Sequence, residues 1–419
     1  MTTQPDSTLA RALVRHVADL VEPGGRTAGS EGERIVQERL AGMLHASGYE
    51  ARVEGAVCPP PQYAVLFLHA AAALASAVAV VAAPLWGILG TALTGVSFWG
   101  ELRGYPRILR RVLARRISGN VVARLPKEDA RGRILLVAHV DTASSSALFN
   151  PMLKRLLRRS EGTGRDLHPG TLVLIACVVQ ALAGVLSALG VASPWPGIAL
   201  GTAALVHLGM AVIAVDWWRS PPVVGAVDNG SGLAVVRALA DRLAAKPLAN
   251  AEVWVVGTGD REPEGQGMAA FLRRFGRVLD RESTMIINVD DVGRGRLHFA
   301  VSEGRWERIP YRPTLPGLAE RVARRPEFED VRSVGLVGTT DAGPATREGY
   351  RAVTLTSMVG GRRPELLHTA RDSLDALEPR SLEEAFRFTH ALVREVDAFL
   401  GENQGRAPVH VGAAPVPED

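Results

Sequence analysis

LLVAHVDT (residues 135–142) and VVGAVDNGSG (residues 223–232) decide how this chain is read. Each stretch ends an apolar run in hard, metal-ready ligands: His139 and Asp141 in the first, Asp228 in the second. Residues 135–137 and 223–224 read as buried strands. The polar groups follow where those strands end, which is where open α/β sheets place their sites. A His-x-Asp pair has a physical logic. The imidazole takes a metal on one nitrogen, and a carboxylate two residues on can reach the shell behind it, fixing the tautomer.

Further along, AEVWVV (251–256) alternates and then runs apolar like a central strand, and it ends in the acidic glycine-rich loop GTGDREPEG (257–265). MIINV (285–289) is another short apolar run, capped by Asp290 and Asp291. LHTARD (367–372) sets a histidine in a loop before an amphipathic helix. The ordered set is His139, Asp228, Glu262, Asp290, His368. Oxygen and imidazole donors without thiolate suit a hydrolytic zinc, manganese or cobalt centre and not a structural cysteine-rich one. Two metals sharing one carboxylate would use five such residues.

With these motifs in place the chain resembles the family-28 metallopeptidases, the co-catalytic di-zinc enzymes of the aminopeptidase Y and glutamate carboxypeptidase type. The resemblance runs through residues 24–54, AHVDT (138–142), 225–243, the 257–272 loop, NVDD (288–291), 339–355 and 367–393. It implies a mixed central β-sheet flanked by helices, a zinc-exopeptidase or phosphorylase/hydrolase-like α/β fold. It also implies two zinc ions, with manganese or cobalt as alternatives, and a peptide substrate cut by a metal-activated water. His139 and His368 would hold one ion, Glu262 and Asp290 the other, with Asp228 bridging. Asp141 would orient His139, and Asp341 and Asp372 would stand behind the ligands. The bond between Asp228 and Asn229 would be cis.

One position departs from the pattern. Where the family carries two consecutive glutamates, a general base and then a ligand, this chain has Arg261 and Glu262. A guanidinium cannot accept a proton. Asp260 or Glu264 would then have to supply the base, or the register shifts so that Glu262 is the base and Glu264 the ligand. A general base is typically worth roughly 10²–10⁴-fold in rate. Two further readings therefore stand beside an aminopeptidase-type exopeptidase. One is a metal-binding pseudoenzyme serving recognition or assembly. The other is a carboxypeptidase, amide hydrolase or cyclase on the same scaffold.

The second large feature is apolar. No Asp, Glu, Lys or Arg lies between Glu54 and Glu101, or between Asp166 and Asp216. Each stretch is too long for one span of about 20 residues and fits two. Pro84-Leu85-Trp86-Gly87 and Ser193-Pro194-Trp195-Pro196-Gly197 make natural hairpin tips, with Trp suited to a membrane interface. The expected architecture is therefore about four transmembrane helices in two hairpins inserted into one catalytic domain. Its parts are 1–62, an apolar hairpin at 63–99, 100–170 with basic flanks, a second hairpin at 171–218, 219–402, and a disordered tail at 403–419. The first hairpin gives spans of about 18 residues, near the lower limit, which leaves a re-entrant hairpin or a dimer interface open.

Arg103, Arg107, Arg110, Arg111, Arg115 and Arg116 follow the first hairpin. Lys154, Arg155, Arg158, Arg159 and Arg165 precede the second, and Arg219 follows it. By the positive-inside rule these flanks put the catalytic domain on the cytoplasmic side of a multi-pass plasma-membrane protein. They also account for most of the net charge of +4. Nucleic acid is not an expected partner, since no aromatic interleaving accompanies them; membrane lipid is. A homo-oligomer is left open. The amino-terminal stretch has no apolar h-region, so no secretory signal is expected. The two cysteines, Cys58 and Cys177, do not make a disulfide framework.

Overall fold

A computed structural model describes residues 7–103, 113, 115–150, 152, 169–262, 265–304, 307–364 and 366–402. The described residues fall into two units, one drawn from Met1–Cys58, Arg116–Ser144 and Pro222–Asp419, the other from Pro59–Arg115 and Ser145–Pro221.

The strands of the first unit are β1 (Glu50–Cys58), β2 (Arg116–Leu125), β3 (Gly132–His139), β4 (Ala251–Thr258), β5 (Thr284–Val289), β6 (Arg296–Glu303), β7 (Ile309–Pro310), β8 (Arg332–Gly335) and β9 (Arg351–Met358). Every residue of β3, β4 and β5 is buried, as strands covered on both faces must be. β4, β3, β5 and β9 lie side by side and parallel. β2 joins β4 antiparallel and β1 joins β2, while β6 runs antiparallel to β9 and carries β7 and β8. Among the described residues this is one nine-stranded mixed sheet, the mixed α/β core expected above.

Side-chain alternation divides β3 between two cores. Ile134 and Leu136 join α1 (Ser7–Val21), α2 (Glu31–Ala46), α7 (Ser231–Ala245), α9 (Thr314–Ala323) and α11 (Pro379–Glu402) through Leu13, Leu40, Leu239, Leu318 and Leu392. Leu135 and Val137 face the other way, toward α8 (Gln266–Phe275) and α10 (Ala342–Arg347), with Met268, Phe271 and Ala345. Helix α2 starts where Ser30 Oγ accepts the Glu33 N–H. The Glu33 carboxylate reaches back one residue further, to the Gly29 N–H, and also accepts from Ser118.

An ion pair sits at the start of the parallel strands. Arg133 and Glu252 face each other in register on β3 and β4, 2.9 Å apart and nearly inaccessible. Arg133 also donates to the Val278 carbonyl. Removing one partner leaves a buried charge uncompensated, which typically costs about 3–5 kcal/mol. Arg133→Ala is therefore expected to lower stability by about that much in chemical unfolding at pH 7. A loss below about 1 kcal/mol would mean that water reaches Glu252.

Among its described residues the second unit has four long helices, α3 (Gln62–Ala82), α4 (Pro84–Arg103), α5 (Pro169–Ala188) and α6 (Trp195–Arg219). α3 packs on α4 and α6, and α5 packs on α4 and α6. Small and polar residues fill the inside: Ala70, Ala73, Ser76, Thr91, Ser97, Gln180, Ala203 and His207 are buried. Many large apolar side chains are exposed, among them Val78, Val81, Leu93, Val178, Leu182, Leu205 and Val212, while Leu66, Phe98, Val173 and Met210 pack inside. Among the interior polar groups, His69 bonds Ser97 and the Val65 carbonyl, and Gln180 donates to Thr91 and the Ala73 carbonyl. Three of the four helices, at Gln62–Ala82, Gly170–Ala188 and Trp195–Arg219, are long and apolar enough to cross a membrane. The expectation of about four is corrected in this respect. Pro84–Arg103 forms a helix of full length, but Thr91, Thr94, Ser97, its glycines and the terminal Glu101 and Arg103 dilute its apolarity.

Candidate metal centre

Parallel strands β3, β4 and β5 end on the same edge of the sheet, and their last residues deliver the chemistry there. His139 closes β3, opposite Thr258 of β4. Residues 259–262 follow β4, and Asp290 follows β5 directly. The fourth contributor, Asp228, comes from the irregular turn Ala226–Gly230 that leads into α7. His368 arrives from the loop before α11.

Among the described residues, two groups of candidate ligand atoms form. His139, Asp228 and Asp290 make one; Asp228, Glu262 and His368 make the other, with the atoms of each group within 4.8 Å of one another. In the first, His139 Nε2 lies 3.0 Å from Asp228 Oδ1 and 3.3 Å from Asp290 Oδ1. All three atoms are buried and none makes a hydrogen bond. Buried polar atoms are almost always satisfied, so three orphans converging on one point fit a cation. In the second, His368 Nε2 lies 2.9 Å from Asp228 Oδ2 and 3.4 Å from Glu262 Oε1. Asp228 thus offers one oxygen to each group. The five residues expected as ligands come together, in a grouping that differs from the implied division. His139 goes with Asp290 and His368 with Glu262, because Asp290 emerges beside His139 on the neighbouring strand.

Other groups hold these ligands still. His139 Nδ1 is 2.9 Å from the Asp141 backbone carbonyl, a contact that leaves Nε2 as the ligand-facing nitrogen. The orienting group is therefore the Asp141 main chain. The Asp141 carboxylate, 3.5 Å from that ring, instead accepts the N–H groups of Arg261 and Glu262 at 3.0 and 2.9 Å and fixes the loop after β4. Asp372 does the same for the Asp228 turn, accepting from the N–H groups of Val227 and Asp228. Asp341 accepts from Thr258 Oγ1 at 2.7 Å. The bond between Asp228 and Asn229 is cis. Asn229 Oδ1 accepts from Gly232 and Asp291, and its amide donates to the Val289 carbonyl. Only glycine fits at 232, where a Cβ would come within 2.3 Å of Asn229 Oδ1 and of the Val289 carbonyl.

Among the described residues, Asp260, Asp291 and His368 are the non-glycine residues with positive φ, at 47°, 58° and 62°. All three lie in the site loops. Such conformations persist where their surroundings over-determine them, and they cluster at functional sites.

The electrostatics are those of a crowded anionic pocket. Burial would lower the His368 pKa, but the Glu262 and Asp228 carboxylates outweigh it and hold it at about 10. Burial would raise Glu262 and Asp290; Arg261 reverses that for both, with help from His368 on Glu262 and from His139 on Asp290. Asp291 has weaker compensation. Burial, then Asp228 and Asp290, push it well above the ordinary carboxyl range. Burial lifts Asp341 to about 6 and, with Asp228, Asp372 to about 7.

Arg261 is buried within this pocket. One of its guanidinium nitrogens contacts Glu262 Oε1, and the other lies 2.7 Å from Asp290 Oδ2. Of the three acidic groups considered as bases, Asp260 stands in neither ligand group, and its Oδ1 pairs with Arg116 at 2.9 Å. Glu262 stands among the ligands. Glu264 lies outside the described residues, as do most of the arginine and lysine flanks.

Sequence reasoning missed three residues. Arg363 contacts Asp290 Oδ2 at 3.0 Å and Asp291 at 3.4 Å; the pair Arg362-Arg363 ahead of His368 was its only signal. Asp291 was visible as the second acid of NVDD without a role. Arg26, wholly buried, donates to the carbonyls of Val140, Val224 and Gly225 and clamps the His139 and Asp228 loops.

Comparison with known proteins places this fold. The Peptidase family M28 profile matches residues 207–393, a segment that holds Asp228, Glu262, Asp290 and His368. The chain has an M28-peptidase-like fold. Solved structures with this fold include a glutaminyl cyclase from Porphyromonas gingivalis, 15% identical over 92% of this chain and 98% of that one, with a TM-score of 0.54. The leucine aminopeptidase precursor of Bacteroides thetaiotaomicron is 13% identical over 92% and 96%, with a TM-score of 0.54. The Bacillus subtilis zinc aminopeptidase BSAP is 13% identical over 92% and 95%, again at 0.54. No curated protein matches the sequence.

Proposed function

We propose that this M28-like chain is a membrane-anchored metallohydrolase of the aminopeptidase type, acting on peptide bonds with zinc as the preferred ion. The observation that carries the reading is the convergence of His139 Nε2, Asp228 Oδ1 and Asp290 Oδ1, buried and unsatisfied, on one point. An oxygen and imidazole set of this kind suits zinc, manganese or cobalt. A bound divalent ion would supply Lewis acidity and water activation. The chain's own part is to present ligands already in place: Asp141 and Asp372 tie down the loops that carry Glu262 and Asp228. The aminopeptidase and glutaminyl cyclase structures that share the fold make a peptide or peptide-like amide the first substrate class to test.

The test is metal content paired with turnover. Protein purified in detergent should carry transition metal and release product from aminoacyl amides or peptides, and a chelator should stop it. Metal with no turnover on any amide or peptide would favour a second reading, a metal-binding module without catalysis. That reading has its own support: Arg261 occupies the pocket where a proton acceptor would be needed, and it cannot be one.

The many large apolar residues exposed on the four helices, together with buried polar residues such as Gln180 and His207, support insertion in lipid. The arginines that flank its helices support a cytoplasmic catalytic side. The full chain is expected to stay in the membrane fraction through carbonate at pH 11 and to leave it with detergent. Release by carbonate alone would show that the helices do not span.

A further inference from the structure

The two ligand groups are not equivalent, and the difference is set by Arg261. Its guanidinium contacts Glu262 Oε1, the oxygen that lies 3.4 Å from His368 Nε2. An ion held between His368 and Glu262 would have to share that oxygen with a fixed positive charge. In the other group the arginines stay clear of the ligand atoms. Arg261 and Arg363 both reach Asp290, but through Oδ2, at 2.7 and 3.0 Å. Oδ1, the oxygen that faces His139, makes no hydrogen bond.

Charge balance points the same way. Asp228, Glu262, Asp290 and Asp291 bring four carboxylates, and Arg261 and Arg363 bring two buried or half-buried guanidinium groups among them. Each guanidinium takes up negative charge that would otherwise be left for a second divalent ion. Arg261 is also not free to swing aside. It is buried, and its backbone N–H is held by Asp141.

We infer that Arg261 stands in for one of two cations, so that this centre holds a single divalent ion tightly, at His139, Asp228 and Asp290, and a second at His368 and Glu262 only weakly. The inference rests on the metal-centre reading above and narrows it from two ions to one ion and a guanidinium.

The test is zinc binding by the full chain in detergent, stripped with a chelator and titrated against a chromophoric competitor, with metal analysis after gel filtration. Wild type should bind one equivalent tightly and a second roughly 100-fold or more weaker. Arg261→Gln should bring the second to within about tenfold of the first. His139→Ala should lose the tight equivalent, and His368→Ala should keep it. Two equivalents of matched affinity in wild type would overturn the inference, even if Arg261→Gln fails to fold. So would an unchanged second site in a folded Arg261→Gln protein, or loss of the tight ion in His368→Ala alone. No tight zinc in wild type or in Arg261→Gln would instead remove the metal centre itself.

Discussion

Asp228→Asn will strip the centre of nearly all its metal and abolish metal-dependent turnover. Asp228 is the one residue common to both ligand groups, with Oδ1 toward His139 and Oδ2 toward His368. The amide keeps the size of the side chain but removes its charge and turns one of its acceptors into a donor, aimed at a ring nitrogen or an ion. The fold should survive. The Asp228 turn is held by contacts that do not involve this carboxylate: Asp372 on the N–H groups of Val227 and Asp228, Asn229 on Gly232 and Asp291, and Arg26 on the carbonyls before it. We expect metal bound per chain to fall by at least about tenfold, read by metal analysis, with an unchanged thermal transition in chelator. Full metal retention in Asp228→Asn would mean that the ion sits elsewhere.

Three of the candidate ligands could be read from the sequence because each follows an apolar run, and parallel strands can only deliver such ends to one edge. His139, Glu262 and Asp290 are of this kind. Their grouping could not be read. It depends on the order of strands β4, β3 and β5 across the sheet, which places Asp290 beside His139, and linear order carries no trace of that. Arg363 and Arg26 were hidden for a different reason. An arginine in a glycine-rich loop looks like a solvated charge, and only folding shows that its guanidinium faces buried carbonyls or carboxylates. The apolar inserts were legible as four helices from the absence of charge. Pro84–Arg103 then fell short in apolarity, because the Thr, Ser and Gly residues that line its packed face also lower its mean hydropathy.

Arg261→Glu should change the site more than any other single substitution. It removes the cation that contacts Glu262 and Asp290 and adds a carboxylate beside them, on a backbone position that Asp141 already fixes. Two effects follow, one on stability and one on chemistry. The stripped protein loses the partner of two buried carboxylates and gains a third, so it should be destabilised by about 3–5 kcal/mol. Added zinc should recover this, because the new charge is balanced by ions that the guanidinium had opposed. Thermal stability in Arg261→Glu should therefore depend on zinc much more steeply than in wild type. The second effect is chemical. A carboxylate at this position can take a proton where a guanidinium cannot, and a general base is worth roughly 10²–10⁴-fold. The kcat/KM for a peptide amide in excess zinc should rise accordingly. A folded, zinc-loaded Arg261→Glu protein no faster than wild type would show that the missing base is not what limits this site. The pocket would then be better read as a place of binding, in which Arg261 belongs to the recognition surface.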